Sequence, residues 1–301
     1  MKILIGGGNG FIGQRLTRHL LFHGHEVVIL DRNESRLSMQ GLQSFKADLL
    51  RPELFEKRWF QGVDAVINLS GKNIFSLWTT KNRRAIRESR ITANKNLVSF
   101  ISALERKPKA FISASAVGYY GDRGDMTLTE QTSHGNGFLA EVCVAWEAEA
   151  RKAEQSGLRS VQVRTAPVLE RSGGMLAQVL KSFDFGLSFL FGSGTNWFSW
   201  IHMEDIVNAY RFVIEHESIS GPVNASSPHP VRFRDFMNLL RQYRKALPIP
   251  IPAFVLKMVL QETADVVLFS QRMHPEKLLK AGFRFLYPTL GDALKEIFSQ
   301  K

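Results

Sequence analysis

The chain begins "MKILIGGGNGFIGQRL" over residues 1–16, and the reading of this stretch decides the fold. Lys2 to Ile5 is a short apolar run suited to a strand, and an amphipathic pattern from Phe11 to His23 predicts a helix. A second apolar run, "EVVIL", follows at Glu26 to Leu30. Glycine reaches backbone conformations closed to other residues and lets another group approach closely, so the cluster between strand and helix suits a flexible turn or a phosphate cradle. The register separates the two. Gly7, Gly10 and Gly13 form G-x-x-G-x-x-G immediately after a strand and at the opening of a helix. In that setting the first glycine makes the tight turn, the second lets the chain approach a pyrophosphate, and the third lets the helix sit close on the strand. The unpaired N–H groups of the first helical turn, at Phe11 and Ile12, face the phosphates together with the helix dipole. A plain strand-to-helix turn does not need three glycines at this spacing.

With 301 residues, 44% hydrophobic and 22% charged, the chain is long enough for a sizeable core and a small second domain. The net charge of +11 attracts anions without naming one. Its densest source is "KNRRAIRESR", Lys81 to Arg90, where Arg83, Arg84, Arg87 and Arg90 recur at helical spacing. Without interleaved aromatic residues or a nucleic-acid motif, this reads as a solvated helix face, and no nucleic-acid partner is expected. Cys143 is the single cysteine, which excludes an internal disulfide and fits a buried thiol in a reducing compartment. No apolar run approaches the ~20 residues that span a bilayer, and the first residues form a strand and loop rather than a leader. A cytoplasmic protein with no membrane partner is expected. No His, Asp or Glu cluster has metal-ligand spacing, so no metal is expected.

Apolar runs alternate with amphipathic stretches through the first two-thirds of the chain, the pattern of βαβ units around a parallel sheet. Further strands are expected at Ser44 to Asp48, Asp64 to Ser70, Lys109 to Ser115 and Arg159 to Arg164, with helices at Lys81 to Glu105 and Gly137 to Ser156. "FGLSFLFGSG", Phe185 to Gly194, reads as a loop lining a site. A short strand "FSWIH" and a helix from Glu204 follow it. From "GPVNASSPHPVRF", Gly221 to Phe233, the composition shifts toward proline, and "ALPIPIPAF", Ala246 to Phe254, reads as an extended connector. Helical patterns return at Phe233 to Lys245, Pro252 to Gln261 and beyond Pro275. A boundary falls near Pro230, giving a dinucleotide-binding domain over 1–230 and a small C-terminal domain over 231–301, with 166–196 contributing to the second lobe.

The second strand ends in "LDRNESR". Asp31 there suits a ribose 2′-hydroxyl and NAD(H), whereas Arg32 suits a 2′-phosphate and NADP(H). The two side chains point to different cofactors.

The glycine spacing resembles the short-chain dehydrogenase/reductase superfamily in its extended, sugar-nucleotide-epimerase-like branch. "DAVINLSGKNI", Ser89–Arg90, "SASAVGYYGD", "CVAWEAEA", "LERSGGML", "WFSWIHMEDIVNA" and "GPVNASSP" resemble the atypical subgroup of epimerase family proteins, and "KLLKAGFRFLYPTLGDAL" resembles the end of that subgroup's C-terminal domain. The resemblance covers essentially the whole chain. It implies a Rossmann-type doubly wound parallel sheet in the order 3-2-1-4-5-6, with a smaller C-terminal substrate lobe over the reactive end of the cofactor. It also implies NADP(H), through Arg32, with NAD(H) as the alternative. The subgroup usually has a small neutral residue where Asp31 stands. Leu69, Ser70 and Gly71 are placed at the cofactor, and Arg164 with them, at an anionic substrate, or tying loops together.

Active members of the superfamily use a Tyr-x-x-x-Lys helix, in which a tyrosinate moves the proton, and a strand-end serine that holds the substrate oxygen. Ser115 matches that serine, with Ser113 as the neighbouring alternative. None of the five tyrosines is followed four residues later by lysine. The substitutes in reach are Tyr119 and Tyr120, ahead of Glu141 and His202. Trp197, Trp200 and the phenylalanines from Phe183 to Phe198 line an apolar substrate pocket or belong to the core, and Arg90 meets an anionic substrate or ties loops together. The implied function is an oxidoreductase or epimerase-like enzyme acting on a small hydroxyl or carbonyl compound, nucleotide-linked or phosphorylated. The alternative is a catalytically silent NADP-binding sensor or docking module.

Overall fold

The computed structural model describes residues 1–35 and 37–299. Seven parallel strands form its central sheet: β1 (Lys2–Gly6), β2 (Glu26–Asp31), β3 (Leu42–Lys46), β4 (Ala65–Asn68), β5 (Ala110–Ala116), β6 (Arg159–Thr165) and β7 (Gly221–Ala225). Their order is 3-2-1-4-5-6-7, so the expected six-strand order is present with one strand added beside β6. The additional strand is "GPVNA", at the start of the stretch where the composition shifts toward proline. Its proline is tolerated because β7 lies at the sheet edge, where a missing N–H costs no ladder bond. The third strand begins at Leu42, two residues before the expected start, because pairing starts opposite Val27. An edge strand with little burial gives only a weak pattern.

Alternate residues of the strands face opposite layers. Ile3, Ile5, Val27 and Ile29 pack with Leu16 and Leu20 of α1 (Phe11–Phe22). Leu4, Val28, Leu30 and Val66 pack with Ala93, Leu97 and Ile101 of α2 (Thr80–Ser102). Both layers are apolar and buried, and each fully buried Leu or Ile contributes roughly 1.5–3 kcal/mol. α3 (Phe138–Arg151) lies against α2 and β5.

A separate core joins Leu169, Leu176, Leu180, Phe183, Phe198 and Trp200 to Phe233, Phe236, Leu240, Leu290, Leu294 and Ile297. Chain on both sides of Pro230 builds it: α4 (Gly174–Asp184) before, α6 (Phe233–Tyr243) and α8 (Leu290–Ser299) after, whereas α5 (Met203–Glu215) packs in the core of the sheet and α1, and α7 (Ala253–Leu260) buries Leu256. Leu278 and Phe283 return to the core between the sheet, α1 and α5.

The expected loop at Phe185 to Gly194 contains a strand, Leu187–Phe191, parallel to Leu247–Ile251 in the expected connector. Pro248 and Pro250 alternate with Leu247, Ile249 and Ile251. All three remaining N–H groups therefore point to one side, where the partner strand lies, and the prolines face the open edge.

Candidate functional site

The glycine loop leaves β1 at the carboxyl edge of the sheet, between the ends of β2 and β4. Gly7 has φ +77°, and a Cβ there would stand 2.9 Å from the Ser70 nitrogen. A Cβ on Gly13 would stand 2.5 Å from the Gly7 carbonyl oxygen and 2.7 Å from that of Gly8. Both positions admit only glycine, so the spacing serves closeness rather than flexibility. Gly10 caps α1 with extended backbone and no side-chain hydrogen bond, leaving the first-turn N–H groups of Phe11 and Ile12 directed outward. The Phe11 ring packs on Gly173 and Gly174, where a Cβ on Gly173 would lie 2.4 Å from it. Arg15 binds Glu170 at 3.1 Å beside this contact. The start of α1 is thereby seated against the strand that leads into the second lobe.

The loop after β4 lies next to the glycines. Leu69 donates its N–H to the Gly6 carbonyl at 2.8 Å, Ser70 donates to Asn68 Oδ1 at 3.0 Å, and Ser70 Oγ donates to the Ser89 carbonyl at 3.3 Å. Asn68 is held in turn by Asn94, which also donates to Ser113 Oγ at 2.8 Å. A Cβ on Gly71 would meet the Arg90 guanidinium at 3.0 Å. Arg90 is half-buried under this loop, donates to the Lys72 carbonyl at 2.9 Å and lies over Trp146. Burial lowers its pKa. It ties loops together, and the helix that carries it is less solvated than its charge implies. Arg83 pairs with Glu262 and lies over the Phe138 ring, and Arg87 pairs with Glu141 at 2.7 Å. Glu141 is consequently a surface partner of Arg87.

At the end of β2, Asp31 is half-buried and Arg32 exposed. Asp31 accepts two backbone N–H groups, from Asn9 and Asn33, each at 3.2 Å. Arg32 makes no hydrogen bond or ion pair to another described residue. Gly7, Gly10, Phe11, Ile12, Gly13, Asp31, Arg32, Leu69, Ser70 and Gly71 thus share one edge of the sheet, around β1, β2 and β4.

Arg164 does not belong to that group. It lies on β6, three strands from β1, roughly 14 Å away at ordinary strand spacing. Its side chain is 2% exposed. Nε and Nη2 donate to the two oxygens of buried Glu147 at 2.8 and 2.9 Å, and Nη1 donates to Tyr120 Oη at 3.0 Å. Burial opposes its charge, but the Glu147 carboxylate and Tyr120 outweigh that and raise its pKa. Ser115, its direct neighbour across the strand pair, donates Oγ to Glu147 Oε1 at 2.7 Å. Tyr120 is fully buried and donates to Asn224 Oδ1 at 2.6 Å. The Asn224 amide is oriented by donating Nδ2 to the Leu128 and His274 carbonyls, both at 3.0 Å. Burial first, and Glu130 with it, pushes the Tyr120 phenol up to about 12, against the opposing pull of Arg164. Ser115, Glu147, Arg164, Tyr120 and Asn224 form one closed buried network, each satisfying its neighbour.

Tyr119 stands outside that closure. The Arg164 guanidinium lies 3.4 Å from its ring centroid, its ring meets His134 edge-on at 6.1 Å, and its hydroxyl bonds no described residue. The α3 face turned toward Ser115 carries Leu139, Cys143 and Glu147 at four-residue spacing. A Cβ on Gly118 would lie 3.1 Å from Leu139 Cβ and 3.8 Å from Cys143 Sγ. Burial, then Glu147, pushes the Cys143 thiol up to about 12.

His202 is also structural: Nδ1 accepts the Glu204 N–H at the start of α5, and Nε2 bonds Glu296 at 2.8 Å. Trp200, Phe183 and Phe198 are core residues. Trp197 is held between the Arg232 and Arg272 guanidiniums, at 4.0 and 4.5 Å from its ring centroid. Phe191 lines a cavity of about 620 Å³ with Asp122, Arg232, Arg234, Lys257 and Phe269. Among the described residues no group of three His, Cys, Asp or Glu side chains could hold a metal, and no helix is long and apolar enough to cross a membrane.

Glu147 and Asn224 escape the sequence reading. The signal for Glu147 is a carboxylate on the buried face of α3, between Cys143 and Ala150, matched by Arg164 near the end of the buried strand "RSVQVRT".

A glycine cradle at the carboxyl ends of parallel strands, with a second lobe seated on it, defines a dinucleotide-binding α/β protein. Residues 3–225 match the NAD dependent epimerase/dehydratase family and residues 251–297 a domain of unknown function (DUF1731); the chain belongs to that epimerase/dehydratase family, in its atypical short-chain dehydrogenase/reductase subgroup. It is 34% identical to the epimerase family protein YfhF of Bacillus subtilis, over 100% of this chain and 99% of that one. The crystal structure of human epimerase family protein SDR39U1 with NADPH superposes with TM-score 0.88 at 30% identity, covering 100% of both chains. DesIV, a dTDP-glucose 4,6-dehydratase from Streptomyces venezuelae, shares the fold at TM-score 0.83 and 18% identity, over 99% of this chain and 96% of that one.

Proposed function

We propose that the chain is an NADP(H)-dependent oxidoreductase or epimerase-like enzyme acting on a small hydroxyl or carbonyl compound. The observation that carries the cofactor reading is the pairing of a cradle in which Cβ atoms would collide with backbone and an exposed Arg32 that bonds no other described residue at the end of β2, while Asp31 is bound to backbone. Similarity to a relative solved with NADPH supports it. Gly7, Gly10, Gly13 and the first turn of α1 would hold the pyrophosphate. Arg32 would hold the 2′-phosphate, and Leu69 to Gly71 would flank the cofactor. When bound, it supplies hydride chemistry at the nicotinamide.

The residues left for proton transfer are few. Tyr120 is enclosed and its proton is directed to Asn224. Ser115 directs its own to Glu147. Tyr119 has a hydroxyl that bonds no described residue and a ring fixed against the Arg164 guanidinium, and it is the proton donor in this reading. Arg164 and Glu147 hold it in place. Purified protein mixed with NADPH and a broad panel of carbonyl compounds tests the proposal through loss of nicotinamide absorbance.

A second reading, a silent NADP-binding module, is favoured by one observation: the α3 face toward Ser115 carries Leu139 and Cys143. Tight NADPH binding without turnover across the panel would select it.

A further inference from the structure

An acidic residue at the end of the second strand ordinarily takes a ribose 2′-hydroxyl and excludes a 2′-phosphate. Asp31 stands there, yet its carboxylate is engaged within the protein. Oδ2 accepts the Asn9 N–H and Oδ1 the Asn33 N–H, each at 3.2 Å. Asn9 closes the loop from the other side, donating Nδ2 to the Asn33 carbonyl at 2.7 Å while its own carbonyl accepts Gln14 Nε2 at 2.8 Å. The glycine loop and the chain leaving β2 are buckled together through these bonds. Arg32 sits on the short arc between the two anchored residues, exposed and bonded to no other described residue.

We propose that Asp31 and Asn9 are positioning residues for NADP(H) selectivity: the buckle keeps the Asp31 carboxylate on backbone N–H groups and presents Arg32 to the 2′-phosphate. The inference rests on the NADP(H) reading above. It inverts the usual meaning of an acidic residue at this place. Carboxylate bonds to N–H groups are charge-assisted and among the stronger hydrogen bonds, so the same interaction that fixes the loop also occupies the group that would repel the phosphate.

The inversion gives opposite signs in one experiment. NADPH and NADH are titrated against wild type, Asp31→Ala, Asn9→Ala and Arg32→Ala, following tryptophan fluorescence, with a thermal melt and the NADH affinity as controls for folding. With a buckle, wild type prefers NADPH, and both Asp31→Ala, which removes the acceptor of two N–H groups, and Asn9→Ala, which keeps its N–H but loses the Nδ2 bond to the Asn33 carbonyl, weaken NADPH by ~10-fold, the loss expected when a hydrogen bond that fixes the loop is removed, while NADH changes little. With plain repulsion, Asp31→Ala tightens NADPH and Asn9→Ala leaves it unchanged, which overturns the buckle. Preference for NADH in wild type overturns the cofactor reading and the buckle with it. A wild-type NADPH preference that Arg32→Ala removes, but that Asp31→Ala and Asn9→Ala leave intact, overturns the buckle alone.

Discussion

Glu147 and Arg164 form a two-point ion pair with both side chains withdrawn from solvent, at 2.8 and 2.9 Å. The pair joins α3 to β6, and through Ser115 and Tyr120 it reaches β5 and the loop beyond. Removing one partner of such a pair strands a buried charge, at about 3–5 kcal/mol. Glu147→Gln is therefore expected to lower the urea midpoint by that equivalent. Glu147→Leu with Arg164→Met should recover part of the loss, since no charge is then left unpaired. Equal stability of Glu147→Gln and wild type would contradict the network.

The two adjacent tyrosines separate structure from chemistry. Tyr120→Phe deletes a buried hydroxyl that serves Asn224 and Arg164, and is expected to cost roughly 1–3 kcal/mol of stability. Tyr119→Phe deletes a hydroxyl with no described partner and should leave the melting temperature within about a degree. On any substrate found by the carbonyl panel, Tyr119→Phe should lower kcat by ~100-fold or more. A Tyr119→Phe enzyme with full turnover would remove Tyr119 as proton donor.

Gly13→Ala tests the cradle sterically. Its Cβ would lie 2.5 Å from the Gly7 carbonyl oxygen, so α1 must move off β1. NADPH binding by calorimetry should be lost or weakened by ~100-fold, with a lower melting temperature. Undiminished binding would contradict the close packing described for the loop.

His19 on α1 gives a pH dependence remote from the site. Burial, then the neighbouring His23, lowers its pKa from 6.5 to about 4, and Nε2 is buried without a partner. The unfolded chain therefore binds this proton more readily than the folded one. Stability is complete above pH ~6.5 and falls as pH drops from there toward ~4. His19→Gln should flatten the fall in melting temperature across that window and leave the value at pH 8 nearly unchanged.

Most of the sheet is legible because buried parallel strands are continuous apolar runs and their crossovers carry helical periodicity. Leu187–Phe191 and Leu247–Ile251 are not, since each is half of a two-strand ladder whose partner lies some sixty residues away, and prolines disguise one of them. The glycine cradle is legible because steric need leaves residue types at fixed spacing. The network around Arg164 is not, because its meaning depends on burial. Tyr119 and Tyr120 look alike in sequence, and the fold encloses one and leaves the other open. Asp31 and Arg32 stand side by side in sequence, and only the fold shows that the Asp31 carboxylate accepts the Asn9 and Asn33 N–H groups while Arg32 is exposed.

The central claim is that this chain holds NADP(H) through Arg32, and competitive titration of the purified wild-type protein with NADPH and NADH tests it most directly. The account predicts that NADPH binds at least ~10-fold more tightly, as expected for a charge-assisted contact to the 2′-phosphate, and that Arg32→Ala abolishes the difference. Equal affinity, or tighter binding of NADH, would contradict it.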